Sequence, residues 1–354
     1  MRKRLIAVLL ICGALLSLAA CGKYSIPEST PPPPSQSAAA NPFEAVEDES
    51  GFLATLTHGA ASPDFSESGE RLPFAYDGGE FQLAYQYSVT GKLDAVGFLL
   101  FLDGKPQPYK VNDTSAEYEY CHSFAAGEEG KDQDFSFFFE PVTGSAGDTL
   151  TLTVVSITNP DFQPDMESTS GYGWYHKCLE YRTQLQFNES ASPDIPFQAK
   201  ATDAFSNVNI QEEKITSAYI VKTLRQNGWD GVTMDNLNQG VYYTADFNDS
   251  IVFDNLCLSD SDEVAFRYTI CGIPGVEYDL SFFIDHQPVC LDNGLSYHVA
   301  LSKGNRWVFE IAFDTSKMDS FQTFYVMAVP KNSGNDVLPV LKSSSILLYK
   351  ENEQ

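Results

Sequence analysis

Hydrophobic and polar residues alternate with a period of two along several segments of the chain. In Phe81–Val89 the odd positions hold Phe, Leu, Tyr, Tyr and Val, and the even positions hold Gln, Ala, Gln and Ser. Val264–Ile270 has the same alternation. Because successive side chains of a β-strand point to opposite faces, this pattern predicts strands with one face in a core. We therefore predict an all-β chain with the odd positions of these strands inside.

The strand candidates of the first half recur in the same order in the second half. Each alternating strand is followed by a continuous apolar run, Val96–Leu102 or Tyr278–Ile284, and each run ends in Asp-x-x-Pro. Asp, Gly and Pro at such a position favour a tight turn. The order of these segments indicates an internal duplication. Three further pairs of strand candidates correspond: Phe135–Phe139 with Trp307–Phe313, Leu150–Val155 with Phe324–Val329, and Leu179–Phe187 with Ser345–Tyr349.

Short alternating strands separated by Gly, Pro, Asp and Asn predict antiparallel sandwiches. We predict two tandem antiparallel β-sandwich domains, at 51–190 and 201–354, each with an Ig-like or a jelly-roll topology. A Ser- and Pro-rich joint at 188–201 separates them. The unit resembles the tandem β-sandwich modules that are common on bacterial surfaces. One helix candidate lies at 212–226. Its β-branched residues make a strand an equally good interpretation of this segment.

The first residues have the parts of an export signal in the usual order. The basic start Met1–Arg4 precedes an apolar run, Leu5–Leu18, that is shorter than the roughly 20 residues of a spanning helix. The run ends in Leu-Ala-Ala-Cys at Cys21, which resembles the lipobox of bacterial lipoproteins. The resemblance implies that 1–20 is a signal peptide and that Cys21 is diacylated, which anchors the protein stably at the extracytoplasmic face of the cell membrane. An ordinary secreted protein is the alternative.

Residues 21–50 are predicted to form a flexible stalk. They contain the Pro31–Pro34 run, which favours extended polyproline geometry at about 3 Å per residue. The whole chain has a formal net charge of -26. A nucleic-acid partner is excluded on this ground, because phosphate binding requires clustered Lys and Arg.

The chain contains no sequence motif that carries catalytic chemistry. The five His residues have no metal-ligand spacing, and no G-x-S-x-G, P-loop or C-x-x-C string occurs. We predict no enzyme activity, no cofactor and no metal. We expect the acidic segments at 246–249 and 259–263 to be solvated turns. The alternative is that their oxygen atoms bind calcium. A glycoside hydrolase with carboxylates outside any motif is an alternative function, since such pairs are defined by spatial separation.

Cysteine and histidine positions give further expectations. Five cysteines lie beyond the signal and the lipobox, and they either pair within their domains or act as small buried hydrophobes. Cys271 falls at a strand position whose side chain should face outward, away from the core. His286 lies in the Asp-x-x-Pro turn, where we expect a surface residue. The five cysteines are Cys121, Cys178, Cys257, Cys271 and Cys290.

The strongest candidate for a binding site is an aromatic segment between the last two strands of the first domain. Tyr172, Trp174 and Tyr175 lie there among Gly, Ser and Thr, without strand alternation. The corresponding segment of the second domain, from Lys331, has no aromatic residue. Exposed Trp and Tyr bind sugar rings or protein partners. We therefore predict a non-catalytic binding or structural role with an extracellular glycan or protein, although the rings could instead close an open end of the sandwich.

Overall fold

The computed structural model describes residues 54–164, 171–192, 205–258, 263–291, 294–331 and 338–350. Most of these residues lie in β-strands that form four sheets, so the predicted all-β class with two sandwiches is confirmed. The signal peptide, Cys21 and the stalk lie outside the described residues, as does most of the joint between the domains. Within the described ranges, no helix has the length and apolar character needed to cross a bilayer.

The first sandwich consists of an outer and a central sheet. The outer sheet has the order β1-β3-β8-β6, and the central sheet has the order β2-β10-β9-β4-β5 with β7 paired to β4. All pairs are antiparallel except β2 with β10, which run parallel. The bounds are β1 Ala54–Ala60, β2 Phe74–Tyr76, β3 Phe81–Gly91, β4 Ala95–Leu102, β5 Lys105–Gln107, β6 Lys110–Val111, β7 His122–Ala125, β8 Gln133–Phe139, β9 Thr149–Thr158 and β10 Cys178–Phe187.

The second sandwich repeats this arrangement. Its outer sheet has the order β11-β19-β15-β12-β13, and its central sheet the order β14-β22-β20-β16-β17, with β18 on β16 and β21 on β20. Again one pair is parallel, β14 with β22. The bounds are β11 Phe205–Lys214, β12 Val241–Phe247, β13 Ser250–Ile251, β14 Asn255–Cys257, β15 Val264–Gly272, β16 Glu277–Ile284, β17 Gln287–Val289, β18 Tyr297–Ala300, β19 Asn305–Phe313, β20 Phe321–Pro330, β21 Leu341–Lys342 and β22 Ile346–Tyr349.

Each sandwich has its own core, formed by the side chains that the alternation places inside. In β3 the odd positions from Leu83 to Val89 are buried against the central sheet, and in β15 the corresponding positions are Val264, Phe266, Tyr268 and Ile270. Aromatic rings dominate both cores, with Tyr85 centred 5.1 Å from Phe137. Such rings bury large apolar areas and prefer tilted or edge-on contacts. Burial of these faces fixes the register of the strands.

The hairpins β4–β5 and β16–β17 turn through corresponding residues. Asp103 and Gly104 have φ values of 49° and 86°, and Asp285 and His286 have 49° and 61°. Two consecutive left-handed residues define the tight hairpin turn that matches the twist of the strands. The position that holds Gly in the first sandwich holds His in the second. His286 adopts a conformation that is uncommon for a residue with a Cβ.

The two central sheets pack back to back. From the first sandwich Leu99, Phe101, Val155 and Ile157 form one apolar cluster with Phe283, Tyr325, Met327 and Val329 of the second. Phe101 and Phe283 occupy corresponding positions in β4 and β16, and their ring centroids lie 6.2 Å apart. The apolar runs of β4 and β16 are therefore buried on both faces. The four sheets form a stack of four layers in which each sandwich covers the other.

Hydrogen bonds and ion pairs surround this apolar interface. Lys331 lies 3.4 Å from the carboxylate of Asp103, and the backbone N–H of Val340 donates to Glu180 at 2.8 Å. His286 lies 2.8 Å from the carbonyl oxygen of Pro160 through Nε2. These contacts satisfy polar groups at the boundary between the sandwiches and fix their relative position.

The expectation that His286 is a surface residue is wrong. Its side chain is only 7% exposed, and Nδ1 lies 3.0 Å from the hydroxyl of Tyr325. The neutral ring fits both partners, with Nε2–H donating to Pro160 and Nδ1 accepting from Tyr325. Burial lowers the pKa of His286 to about 4, against a partial opposing effect of the Pro160 carbonyl. His286 is buried because the first sandwich, through the segment at Pro160, covers this turn.

The helix candidate at 212–226 divides into two elements. Its first residues continue β11 to Lys214, and a short helix, Ser217–Tyr219, then continues as a π-helix, Ile220–Leu224. This segment packs Ile220 and Leu224 against the outer face of the second sandwich, over Cys271. Cys271 does face outward from its sheet, but the helical segment buries it completely. All five cysteines of the described ranges are free thiols.

Replacing Phe283 with Ala tests the interface. The ring is almost fully buried and stacks on Tyr325 at 5.0 Å, so its loss leaves a cavity between the sandwiches. We expect a loss of about 3–5 kcal/mol in the free energy of unfolding, measured by urea denaturation. The control Phe65→Ala removes a ring that is 57% exposed and should change stability by less than about 0.5 kcal/mol. Equal effects of the two substitutions would contradict the interface.

The pH dependence of stability tests the burial of His286. As the pH falls from about 6.5 towards 4, the unfolded chain binds a proton that the folded protein excludes, so stability falls over this window. The His286→Asn variant keeps a residue that tolerates left-handed backbone and has no titrating ring. Its unfolding free energy should fall less steeply than that of the wild type between pH 6.5 and 4. Parallel curves for the two proteins would show that His286 does not titrate in this way.

Candidate functional site

The predicted aromatic site lies on a helical turn, Tyr172–Tyr175, that begins after Gly171 in left-handed conformation. Tyr172 is 1% exposed, and its hydroxyl lies 2.6 Å from that of Thr323 in the second sandwich. Thr158 in β9 bonds to the backbone at both Tyr175 and Lys177. The turn is therefore held by both sandwiches. The ring of Tyr172 anchors the turn and does not face solvent.

Trp174 and Tyr175 lie on the outer side of this turn. Trp174 is 68% exposed, and the ammonium group of Lys177 lies 4.1 Å from the centroid of its ring. Tyr175 stacks on Phe162, with centroids 3.6 Å apart and planes at 6°. The structure thus separates the three predicted residues. Trp174 is presented to solvent, Tyr175 belongs to a stacked pair beside it, and Tyr172 is buried.

Phe253, an aromatic residue that no sequence pattern indicated, lies on a segment beside this turn. An ideal Cβ at Gly173 would approach the carbonyl oxygen of Phe253 to 2.8 Å, and that of Ser345 to 3.1 Å. Only Gly permits such close packing of two backbones. Phe253 is 63% exposed. The exposed residues Trp174 and Phe253 therefore lie on segments of the two sandwiches whose backbones touch at Gly173.

Phe253 also borders a cavity of about 100 Å³, which we call the edge pocket. The pocket opens at the edge of the second sandwich, between β12 and the segment that joins β21 to β22. Trp229 in its wall is fixed by a 2.8 Å hydrogen bond from Nε1 to the carbonyl oxygen of Tyr243. Aromatic and small polar side chains line the pocket: Asn227, Trp229, Tyr243, Ala245, Phe247, Ile251, Val252, Phe253, Phe266, Phe324, Ser343, Ser344 and Ile346. No periodicity in the sequence marks this set, because it draws on six separate segments.

A polar groove of about 300 Å³ crosses the outer face of the second sandwich. Arg267 lies at its centre and is paired with Asp249 at 2.5 Å and with Glu310 at 3.1 Å. Burial raises the pKa of Asp246, which also lines the groove. Of the two acidic strings considered as calcium ligands, 246–249 borders this groove, and most of 259–263 lies outside the described residues. Within the part of the chain that the structure describes, no three His, Cys, Asp or Glu side chains are grouped to hold a metal ion.

Three of the free thiols are poorly suited to nucleophilic chemistry. Burial raises the pKa of Cys121 and of Cys178, and it raises the pKa of Cys271 to about 12. A thiol acts as a nucleophile in its deprotonated form. These three side chains therefore stay protonated at neutral pH.

Comparisons with known proteins give fold-level likenesses only. No family model matches the chain, and no curated protein matches it. Among solved structures, a marsupial T cell receptor aligns with 85% of this chain and 75% of its own, at 6% identity and a TM-score of 0.17. The class 5 fimbriae chaperone CfaA aligns with 81% and 98%, at 9% identity and a TM-score of 0.18. The CupB6 tip adhesin from Pseudomonas aeruginosa aligns with 84% and 98%, at 7% identity and a TM-score of 0.19. TM-scores this low support no functional argument.

Proposed function

We propose that the protein is a lipid-anchored extracytoplasmic lipoprotein that binds a partner at the cell surface and has no catalytic role. The observation that carries the binding role is the pair of exposed aromatic residues, Trp174 and Phe253, on adjoining segments of the two sandwiches. Clustered exposed aromatic side chains are typical of interaction sites. The membrane anchor rests on the resemblance of the segment ending at Cys21 to a lipobox.

The packing around Trp174 supports this proposal because it fixes the turn that carries the ring before a ligand binds. Tyr172 ties the turn to Thr323, and Tyr175 is stacked on Phe162. Little conformational entropy is then lost when a ligand contacts the turn. Lys177 lies over one face of the Trp174 ring, so a ligand that stacks on the ring does so beside a positive charge.

An extracellular glycan is the first candidate for the partner, and a protein surface is the second. Sugar rings present C–H faces that can pack on an indole, while Trp is also a frequent anchor in protein interfaces. Both forms of binding require the indole of Trp174 at the surface.

The Cys21→Ala variant tests the membrane anchor. Without its thiol the residue cannot carry acyl chains, and the stalk and sandwiches offer no other lipid group in this proposal. We expect the variant to move from the membrane to the soluble fraction when cells are fractionated. Cys12→Ala, which removes a thiol inside the apolar run, should leave the protein in the membrane. Retention of Cys21→Ala in the membrane would rule out lipid anchoring at this residue.

The Trp174→Ala variant tests the binding role. Removal of an anchoring indole should weaken binding to a glycan array or to intact cell envelopes by at least about tenfold. Its unfolding free energy should change by less than about 0.5 kcal/mol, because the ring is mostly exposed. Phe65→Ala, at an exposed ring of the first sandwich, is the matched control and should bind like the wild type. Undiminished binding by Trp174→Ala would remove this turn from the interaction.

A further inference from the structure

Two lysine side chains lie at the aromatic turn, one from each sandwich. Lys177 is exposed, and its ammonium group lies 4.1 Å from the centroid of the Trp174 ring. Lys342 ends β21, three residues before Ser345, whose carbonyl oxygen packs against Gly173 of the turn. Burial lowers the pKa of Lys342 to about 8, and the positive charge of Lys177 acts in the same direction. The turn therefore carries two ammonium groups that repel each other.

Neither ammonium group is neutralised by a carboxylate in the part of the chain that the structure describes. Nζ of Lys342 bonds to neutral groups, the hydroxyl of Ser345 at 2.7 Å and the carbonyl oxygen of Ser343 at 3.2 Å. Lys177 has the indole of Trp174 as its partner. In a chain with 48 acidic and 22 basic residues, such a pair of cations is suited to an anion from outside. The lysines that do form ion pairs among the described residues are Lys110, Lys131, Lys317 and Lys331.

The turn presents an aromatic face and a positive charge side by side, so it selects a ligand that has both complementary features. The ring of Trp174 is 68% exposed. A neutral sugar can pack its C–H face on the indole, but it leaves the ammonium group of Lys177 without an anion. An Asp or Glu side chain supplies a carboxylate but has no flat face for the indole. A uronic acid combines the two, because its carboxylate is bonded directly to the sugar ring.

We propose that the aromatic turn binds an acidic glycan, with a uronic acid ring packed on Trp174 and its carboxylate paired with Lys177. The sugar packs on the face of the indole opposite to Lys177, and the flexible lysine side chain swings to the ring edge to meet the carboxylate. An exposed cation–π contact contributes less than a charge-assisted hydrogen bond, so this exchange favours binding. Lys342 adds a second positive charge, held in place by Ser345. The inference rests on the proposed binding role of Trp174 and adds the charge of the ligand.

The net charge of the protein opposes this binding at long range but not at contact distance. The formal net charge of -26 repels an acidic glycan. At an ionic strength of about 0.15 M, exposed charges more than roughly 8 Å apart are largely screened from each other. The carboxylate paired with Lys177 lies well within that distance. We therefore expect acidic glycans to bind through this local contact, and the test is made at this ionic strength.

The experiment is a calorimetric titration of the full chain with tetragalacturonate and with its fully methyl-esterified form. The ester keeps every sugar ring and removes every charge. We expect saturable binding of the acid, at least about fivefold tighter than that of the ester, as for a well-formed surface ion pair. A blocked tetraglutamate peptide carries the same charges without the rings and should bind more weakly than tetragalacturonate. Binding of the peptide as tight as that of tetragalacturonate would overturn the glycan assignment in favour of an acidic protein partner.

Three variants locate the charge preference. Lys177→Gln should weaken binding of the acid by about fivefold, to the level of the ester, and leave binding of the ester unchanged. Lys177→Arg keeps the positive charge and should keep the preference for the acid. Lys92→Gln removes an exposed lysine elsewhere in the first sandwich and is the matched control, which should bind both ligands like the wild type.

Failure of this inference is distinguishable from failure of the proposed function. Trp174→Ala should weaken binding of both the acid and the ester, since both pack on the indole. If Trp174→Ala weakens both while the wild type and Lys177→Gln bind the acid and the ester alike, the glycan-binding role stands and the acidic specificity is wrong. Absence of saturable binding of tetragalacturonate to the wild type would also overturn the inference, whatever the glycan array shows for Trp174→Ala.

Discussion

The back-to-back packing of the two central sheets is the interaction on which the rest of the structure depends. Phe101 and Phe283 meet at its centre, and the strands around them are buried on both faces. A sandwich normally needs only one apolar face on each sheet, with polar residues on the other. Here the face of each central sheet that points towards the other sandwich is also apolar. This face would be exposed to water if the sandwiches separated. The apolar area buried between them stabilises the association of the two sandwiches.

This interface also explains polar features that look out of place within a single sandwich. His286 occupies a tight turn at the surface of its own domain, yet it is buried because the segment at Pro160 covers it. Tyr172 belongs to a connecting segment of the first sandwich and bonds to Thr323 of the second. The aromatic turn is therefore held rigidly because it bridges two domains. The backbone contact at Gly173 places Trp174 and Phe253 on adjoining segments of the two sandwiches.

Local patterns were sufficient to predict five strands in each sandwich, but not the remaining strands, such as β1, β11 and β12, or the assembly. The alternation in β3 and β15 identified which residues lie inside, and the Asp-x-x-Pro strings identified both hairpins, because these signals depend on neighbouring residues. Strands of two or three residues such as β6 and β13 are too short to show a period. The apolar runs of β4 and β16 show no alternation, and a continuous run cannot specify which surface covers the second face of the strand. Likewise, aromatic composition located the turn at 172–175, whereas the burial of Tyr172 depends on Thr323, far away in the chain.

The comparison between the sandwiches locates function better than either sandwich alone. The core residues of the two sandwiches correspond in position, but only some correspond in size: Ala60 matches Ala245 at the two edges, whereas Phe282 takes the place of Leu100. At the edge where the first sandwich has the ring of Tyr181, the second sandwich has the rings of Trp229 and Tyr243, and Tyr243 stacks on Tyr268. The aromatic turn adjoins the edge pocket, because Gly173 packs against the carbonyl oxygen of Phe253, which borders the pocket. That proximity is the strongest physical reason to treat them as one functional surface.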